Sequence, residues 1–178
     1  MRLIGIFLAL SFLGQELFGQ ALRPSKTQLF KIFKSSINQD SKRSGNLRSD
    51  SWLIPNKDSS FYTSDTLYLY DVSNYLNRAE VHNYYIQTKN CCDFVALVFY
   101  RKTAFAHVEQ NICAARAKVV TNKDFYTIAI VEENNQTIMR ILQHNQLIYT
   151  FNVIAFDEVS LLKEGRATKR LKLVREKM

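Results

Sequence analysis

The sequence predicts an all-β domain with a short N-terminal helix, folded as an antiparallel up-and-down barrel, with a β-sandwich as the alternative. Three observations carry that reading. From Trp52 onward, short runs of aromatic and β-branched residues alternate with clusters of Asn, Asp and Lys at roughly ten-residue intervals. Asparagines stand where tight turns are needed, at Asn134-Asn135 and Asn145-Gln146, and asparagine tolerates positive φ better than other residues with a Cβ. No internal repeat is visible, which argues against a propeller or solenoid.

Taken in order, residues 1–21 open with Met1-Arg2, continue with the apolar run Leu3 to Leu13 and end in Phe18-Gly19-Gln20-Ala21. This is the pattern of a secretory signal peptide, and the run is well short of the roughly 20 residues that span a bilayer. A secreted or periplasmic location is therefore expected, with no transmembrane segment. Residues 22–50 form a second section. Leu29, Phe30, Phe33 and Ile37 recur at helical spacing opposite Lys31 and Lys34, predicting a short amphipathic helix over 27–37, and the polar run Asn38 to Ser51 reads as an exposed basic linker.

Residues 51–178 form the third section, a single β domain of ordinary globular composition. Strands are expected near 52–54, 66–72, 81–88, 93–101, 104–112, 116–121, 125–133, 137–144, 147–155, 158–163 and 168–174. The meander from Phe125 to Ile154 is the clearest part.

Of the five glycines, only Gly45 and Gly165 lie beyond the leader. A phosphate-cradling loop, a dinucleotide fingerprint or a nucleophile elbow needs several positions free of a Cβ, so those enzyme classes are disfavoured. Export gives Cys91, Cys92 and Cys113 a compartment in which a disulfide persists. A hairpin turning at Lys102-Thr103 sets Cys92 opposite Cys113; an odd-length loop would set Cys91 there instead. Either leaves one thiol over.

A helix, a linker, a tryptophan opening the first strand, and the terminal pattern Tyr149-x-Phe151-x-Val153-Ile154-x-x-x-Glu158-Val159-x-Leu161-Leu162 followed by Arg170-Leu171-Lys172-Leu173-x-Arg175 resemble small secreted lipocalin-like domains. The resemblance spans about residues 47–176. The family's Gly-x-Trp signature is not met, because Asp50-Ser51-Trp52 lacks the glycine. The resemblance implies an antiparallel barrel holding an apolar ligand inside.

Two-residue turns in the meander set Ala129, Arg140 and Phe151 in one row and Thr127, Leu142 and Tyr149 in the next. Arg140 is then the sole charge in a largely apolar patch. If that face points inward, Arg140 can hold a ligand carboxylate beside Tyr149 and Phe151. A one-residue slip in register would swap the faces.

Nothing in the sequence specifies catalysis, a cofactor or a metal. His82, His107 and His144 are far apart, and Cys91-Cys92 is a poor zinc pair. Glu132-Glu133 and Asp157-Glu158 read as solvated charge near turns. The aromatics between Phe61 and Tyr100 read as strand and core residues, although such residues also build stacking platforms. Asn135-Gln136-Thr137 is a glycosylation acceptor only in a eukaryotic secretory pathway.

The net charge of +8 is unevenly placed: residues 22–48 carry +6, residues 163–178 carry +5, and the body between them −3. That disfavours a specific nucleic-acid surface on the body. The expectation is thus an exported, non-enzymatic binding module for a small hydrophobic ligand. The alternative is a protein that meets an anionic surface or partner through its basic ends, and a secreted enzyme ranks third.

Overall fold

The structure, a computed structural model, describes residues 23–37, 51–71, 75–114, 116–117, 120–160 and 167–177. The expected leader and the greater part of the basic linker lie outside the described residues.

The first helix, α1 (Lys26–Ser35), begins at a capping box: Ser25 Oγ accepts from the Gln28 amide and Gln28 Oε1 accepts from the Ser25 amide. Its apolar stripe buries Leu29 and Phe33 completely while Lys31 and Lys34 stay exposed. Among the described residues nine strands follow, β1 (Ser51–Pro55), β2 (Thr66–Asp71), β3 (Asp93–Arg101), β4 (Ala104–Asn111), β5 (Arg116–Ala117), β6 (Phe125–Glu133), β7 (Gln136–Gln143), β8 (Gln146–Ser160) and β9 (Ala167–Arg175). Every pairing is antiparallel. The ring runs β3, β1, β2, β9, β8, β7, β6, β4 and closes through the β3–β4 hairpin, making an eight-stranded barrel with β5 appended to β4.

From β3 to β9 the ring is a meander. β1 stands between β2 and β3, so the chain leaving β2 must cross β1, and helix α3 (Tyr75–Lys89) makes that crossing after the single turn α2 (Ser60–Thr63) inside the β1–β2 connection. The strand expected at 81–88 is thus part of a helix. Its aromatic and β-branched residues drew the strand reading, but Val81 and Tyr85 stand four apart and both pack on Leu53, Tyr70, Phe94 and Ala96, the outer face of β1 to β3. Asn90, at φ 47°, ends the helix in the left-handed conformation that asparagine tolerates.

Other boundaries also shift. Of the strand expected at 116–121, Arg116–Ala117 is a strand, residues 118–119 lie outside the described residues, and a 3₁₀ turn follows at Asn122–Asp124. The strand expected at 147–155 and the described part of the one expected at 158–163 are one strand, β8; residues 161–163 lie outside the described residues. The turn at Asn134-Asn135 is as expected, both residues having positive φ (51° and 59°), and the β6–β7 register matches the expected rows. The next turn is His144-Asn145 rather than Asn145-Gln146, and a bulge falls between Ile141 and Leu142. Arg140 therefore faces Thr150, and Met139 faces Phe151.

Inside and outside follow from burial. Trp52, Ile54, Leu67, Leu69, Val95, Leu97, Phe105, Ile128, Ile130, Met139, Ile141, Phe151, Val153, Leu171 and Leu173 form one cluster with Leu29 and Phe33 of α1. The barrel is filled by large side chains and α1 plugs one end, where Phe33 stacks on Phe99 at 4.4 Å and meets Trp52 edge-on at 5.9 Å. A disulfide joins Cys92 to Cys113 at the base of the β3–β4 hairpin, and Cys91 is the leftover thiol, buried. Among the described residues no helix is long and apolar enough to cross a membrane.

Candidate functional site

The end of the barrel opposite α1 concentrates polar chemistry on the interior face. Alternation along β9 sends Leu171, Leu173 and then Arg175 inward. The Arg175 guanidinium lies over the rings of Tyr149 (4.7 Å) and Phe151 (5.3 Å), and its Nη2 donates to the Phe61 carbonyl. Such stacking favours a planar cation over an ammonium. Its Nε is buried and finds no acceptor.

Tyr149 and Phe151 reach this position because of the β7–β8 bulge. The extra residue shifts the β8 alternation by one, so that both face inward beside Ile141 and Met139, with ring centroids 6.0 Å apart. On the far wall, β4 runs beside β6 only from Ala104 to Ala106, and beyond that point His107 and Glu109 continue the interior row. His107 meets the rings of Phe61 at 5.2 Å and Tyr126 at 5.7 Å.

The β1–β2 connection closes over this collar. Phe61, in α2, is 2% exposed, although its helix is one turn long and lies at the rim. Its ring is edge-on to Tyr149 at 5.8 Å, and its amide donates to Asn56 Oδ1 at 2.9 Å. Tyr62 donates its phenol to Glu109 at 2.5 Å. Partial burial, together with that carboxylate, pushes the Tyr62 phenol well above the usual tyrosine range. Asp58 (φ 53°) and Ser59 (φ 59°), just before α2, are both left-handed. Two of the exposed large apolar side chains, Tyr62 and Leu147, stand at this end.

Of the ligand residues expected from sequence, the structure brings Tyr149 and Phe151 together and leaves Arg140 apart. Arg140 is on the outer face, half-exposed and paired with Glu133 at 3.0 Å. The missed residues are Arg175 and Phe61. Arg175 was legible in the period-two run Leu171, Leu173, Arg175; Phe61 was not, because a one-turn helix leaves no periodic signal. Asn135 occupies its turn with an exposed side chain, while the Thr137 hydroxyl is buried and donates to the Pro24 carbonyl at 2.8 Å.

A groove of about 740 Å³ beside the N-terminus of α1 is lined by polar side chains. Arg23 Nη1 donates there to the Asn135 carbonyl at 3.0 Å and the Lys26 amide to Glu132 at 2.7 Å. Among the described residues no three His, Cys, Asp or Glu side chains gather as a metal site. Compared with protein families, characterised proteins and solved structures, the chain matches none.

Proposed function

We propose that this protein is an exported, non-enzymatic binding module of lipocalin-like design that takes a small apolar ligand at the end of its barrel opposite α1 rather than deep inside it. Export rests on the leader pattern and fits the Cys92–Cys113 disulfide. The displacement of the site to the rim rests on the filled interior. The observation that carries the reading is the aromatic collar around one partly buried guanidinium, Arg175 over Tyr149 and Phe151. An apolar wall with a few convergent polar groups is how small-molecule sites are usually built.

The test is an equilibrium titration with a hydrophobic fluorescent probe, 1-anilinonaphthalene-8-sulfonate. Saturable binding of one probe per chain, weakened in Tyr149→Ala, is expected. No binding, or linear unsaturable uptake, overturns the reading.

The second reading, attachment to an anionic surface, has an observation of its own: Lys26, Lys31 and Lys34 are exposed on α1. The C-terminal basic residues favour it less, because Arg170 is paired with Asp157 and Lys177 with Asp65. Heparin affinity that collapses with salt would support it, and Lys31→Glu with Lys34→Glu should then abolish retention.

A further inference from the structure

We infer that Phe61 occupies the place of the ligand in the closed protein, and that the mouth takes a planar aromatic anion whose ring replaces the Phe61 ring and whose negative group replaces the Phe61 carbonyl on Arg175. The inference rests on the binding reading above and specifies its ligand.

The guanidinium fork is half used. Nε and Nη2 lie on the same edge of the guanidinium and together match the two oxygens of a carboxylate or sulfonate. In Arg175, Nη2 holds one carbonyl oxygen and Nε is buried without an acceptor. A neutral carbonyl supplies one oxygen where the fork offers two donors. The neighbours of this edge given by its contacts are two ring faces and one backbone carbonyl, none of which carries a negative charge. An anion arriving there would satisfy Nε and offset the charge in one step.

The rest of Phe61 imitates the body of such a ligand. Its ring is surrounded by the edges and faces of Tyr149, His107 and Tyr62, at 5.8, 5.2 and 5.0 Å. This is a slot for a flat ring, since edge-to-face neighbours complement a planar π-system. Leu147 on β8, exposed at the same end, offers apolar surface for a second ring.

The segment that holds Phe61 in place carries strain. Asp58 and Ser59 both have positive φ, a conformation unfavourable for residues with a Cβ. The Tyr62–Glu109 and Phe61–Asn56 hydrogen bonds hold the turn down against it. Replacing the Phe61 contacts by ligand contacts releases that strain, and the turn swings away as the ligand enters.

Three variants are titrated with 1-anilinonaphthalene-8-sulfonate and with the uncharged N-phenyl-1-naphthylamine. Phe61→Ala removes the ring of the internal competitor and keeps the backbone carbonyl at position 61, so the slot is vacated and the sulfonate should bind about tenfold more tightly than to the parent. Adding Arg175→Lys to Phe61→Ala should abolish that gain for the sulfonate while leaving the uncharged probe unchanged. Asp58→Gly with Ser59→Gly relaxes the closed turn without touching the slot and should weaken sulfonate binding severalfold; this variant carries the test if Phe61→Ala does not fold. Unchanged affinity in Phe61→Ala, or a gain that survives Arg175→Lys, overturns the inference. If the parent binds the probe and Phe61→Ala does not tighten it, the binding reading stands and the ligand mimicry falls; if no form binds either probe, both fall.

Discussion

The indole Nε1 of Trp52 donates to Ser36 Oγ at 2.9 Å, tying the first strand of the barrel to the end of the helix that plugs it. Both residues are buried, so the bond is made where water cannot replace it. Removing the acceptor leaves a buried N–H unpaired, at a cost of about 1–3 kcal/mol. Ser36→Ala should lose stability in that range in urea unfolding. Phe33→Ala, which also empties the stack against Phe99, should lose about 3–5 kcal/mol. Trp52 is the one tryptophan in the sequence, so a red-shifted emission in Phe33→Ala reports the loosened plug directly.

The Cys92–Cys113 bridge spans 21 positions and fastens the base of the β3–β4 hairpin. Closing a loop of that size removes about 3 kcal/mol of unfolded-state freedom. Cys92→Ser with Cys113→Ser should lower stability by about that amount and leave the barrel folded. In the oxidised parent, one thiol per chain should react with maleimide after denaturation and almost none before, because Cys91 is buried and donates to the Asp93 carbonyl. Three reactive thiols in the unreduced, denatured chain would contradict the bridge.

The barrel was legible in the sequence wherever turn chemistry and alternation agreed. Asn134-Asn135 fixed one hairpin because both residues take the positive φ that a two-residue turn needs, and the β6–β7 rows followed. At β7–β8 the same reasoning missed by one residue. His144 accepts positive φ as Asn145 does, and a bulge then restores inward alternation for Tyr149 and Phe151; neither has a local mark in the sequence. That slip put Tyr149 and Phe151 on the face of Met139 and Ile141, opposite the face on which alternation along β7 leaves Arg140. The helix at Tyr75–Lys89 was hidden for another reason: its residues favour strands, and what overrides them is the need to cross β1 with Val81 and Tyr85 facing the sheet.

Arg170 and Asp157 face each other across β8 and β9 with two hydrogen bonds, at 3.0 and 2.6 Å, and the guanidinium also covers the Tyr68 ring at 5.1 Å. The hydrogen bond to Asp157 raises the Arg170 pKa further, so the guanidinium stays charged. Partial burial and bidentate geometry set it above an ordinary surface pair, at about 1–2 kcal/mol. Arg170→Lys keeps the charge and loses both the fork and the stacking, and should forfeit most of that stability. A urea midpoint unchanged in Arg170→Lys would show that charge alone matters.

Tyr70 and Tyr85 join the outer face of β2 to α3 through a 2.8 Å contact between their hydroxyls. Burial is the main cause that raises both phenols above the ordinary tyrosine value of 10.0. In the folded state they therefore keep protons that the unfolded chain releases. Below pH 10 both states hold them and the pair gives no pH dependence. Above pH 10 the unfolded state is favoured, by up to roughly 1.4 kcal/mol per pH unit for each retained proton. Tyr62 adds less, since it is 41% exposed and solvent screens it. Stability measured by urea unfolding should hold steady to about pH 9 and then fall. Tyr85→Phe removes one of the retained protons. It should cost about 1 kcal/mol at pH 8, where Tyr70 loses its partner, and should fall less steeply than the parent between pH 10 and 11. Equal slopes for the two proteins would mean that Tyr85 ionises as freely in the folded chain as in the unfolded one, and that α3 does not shield it.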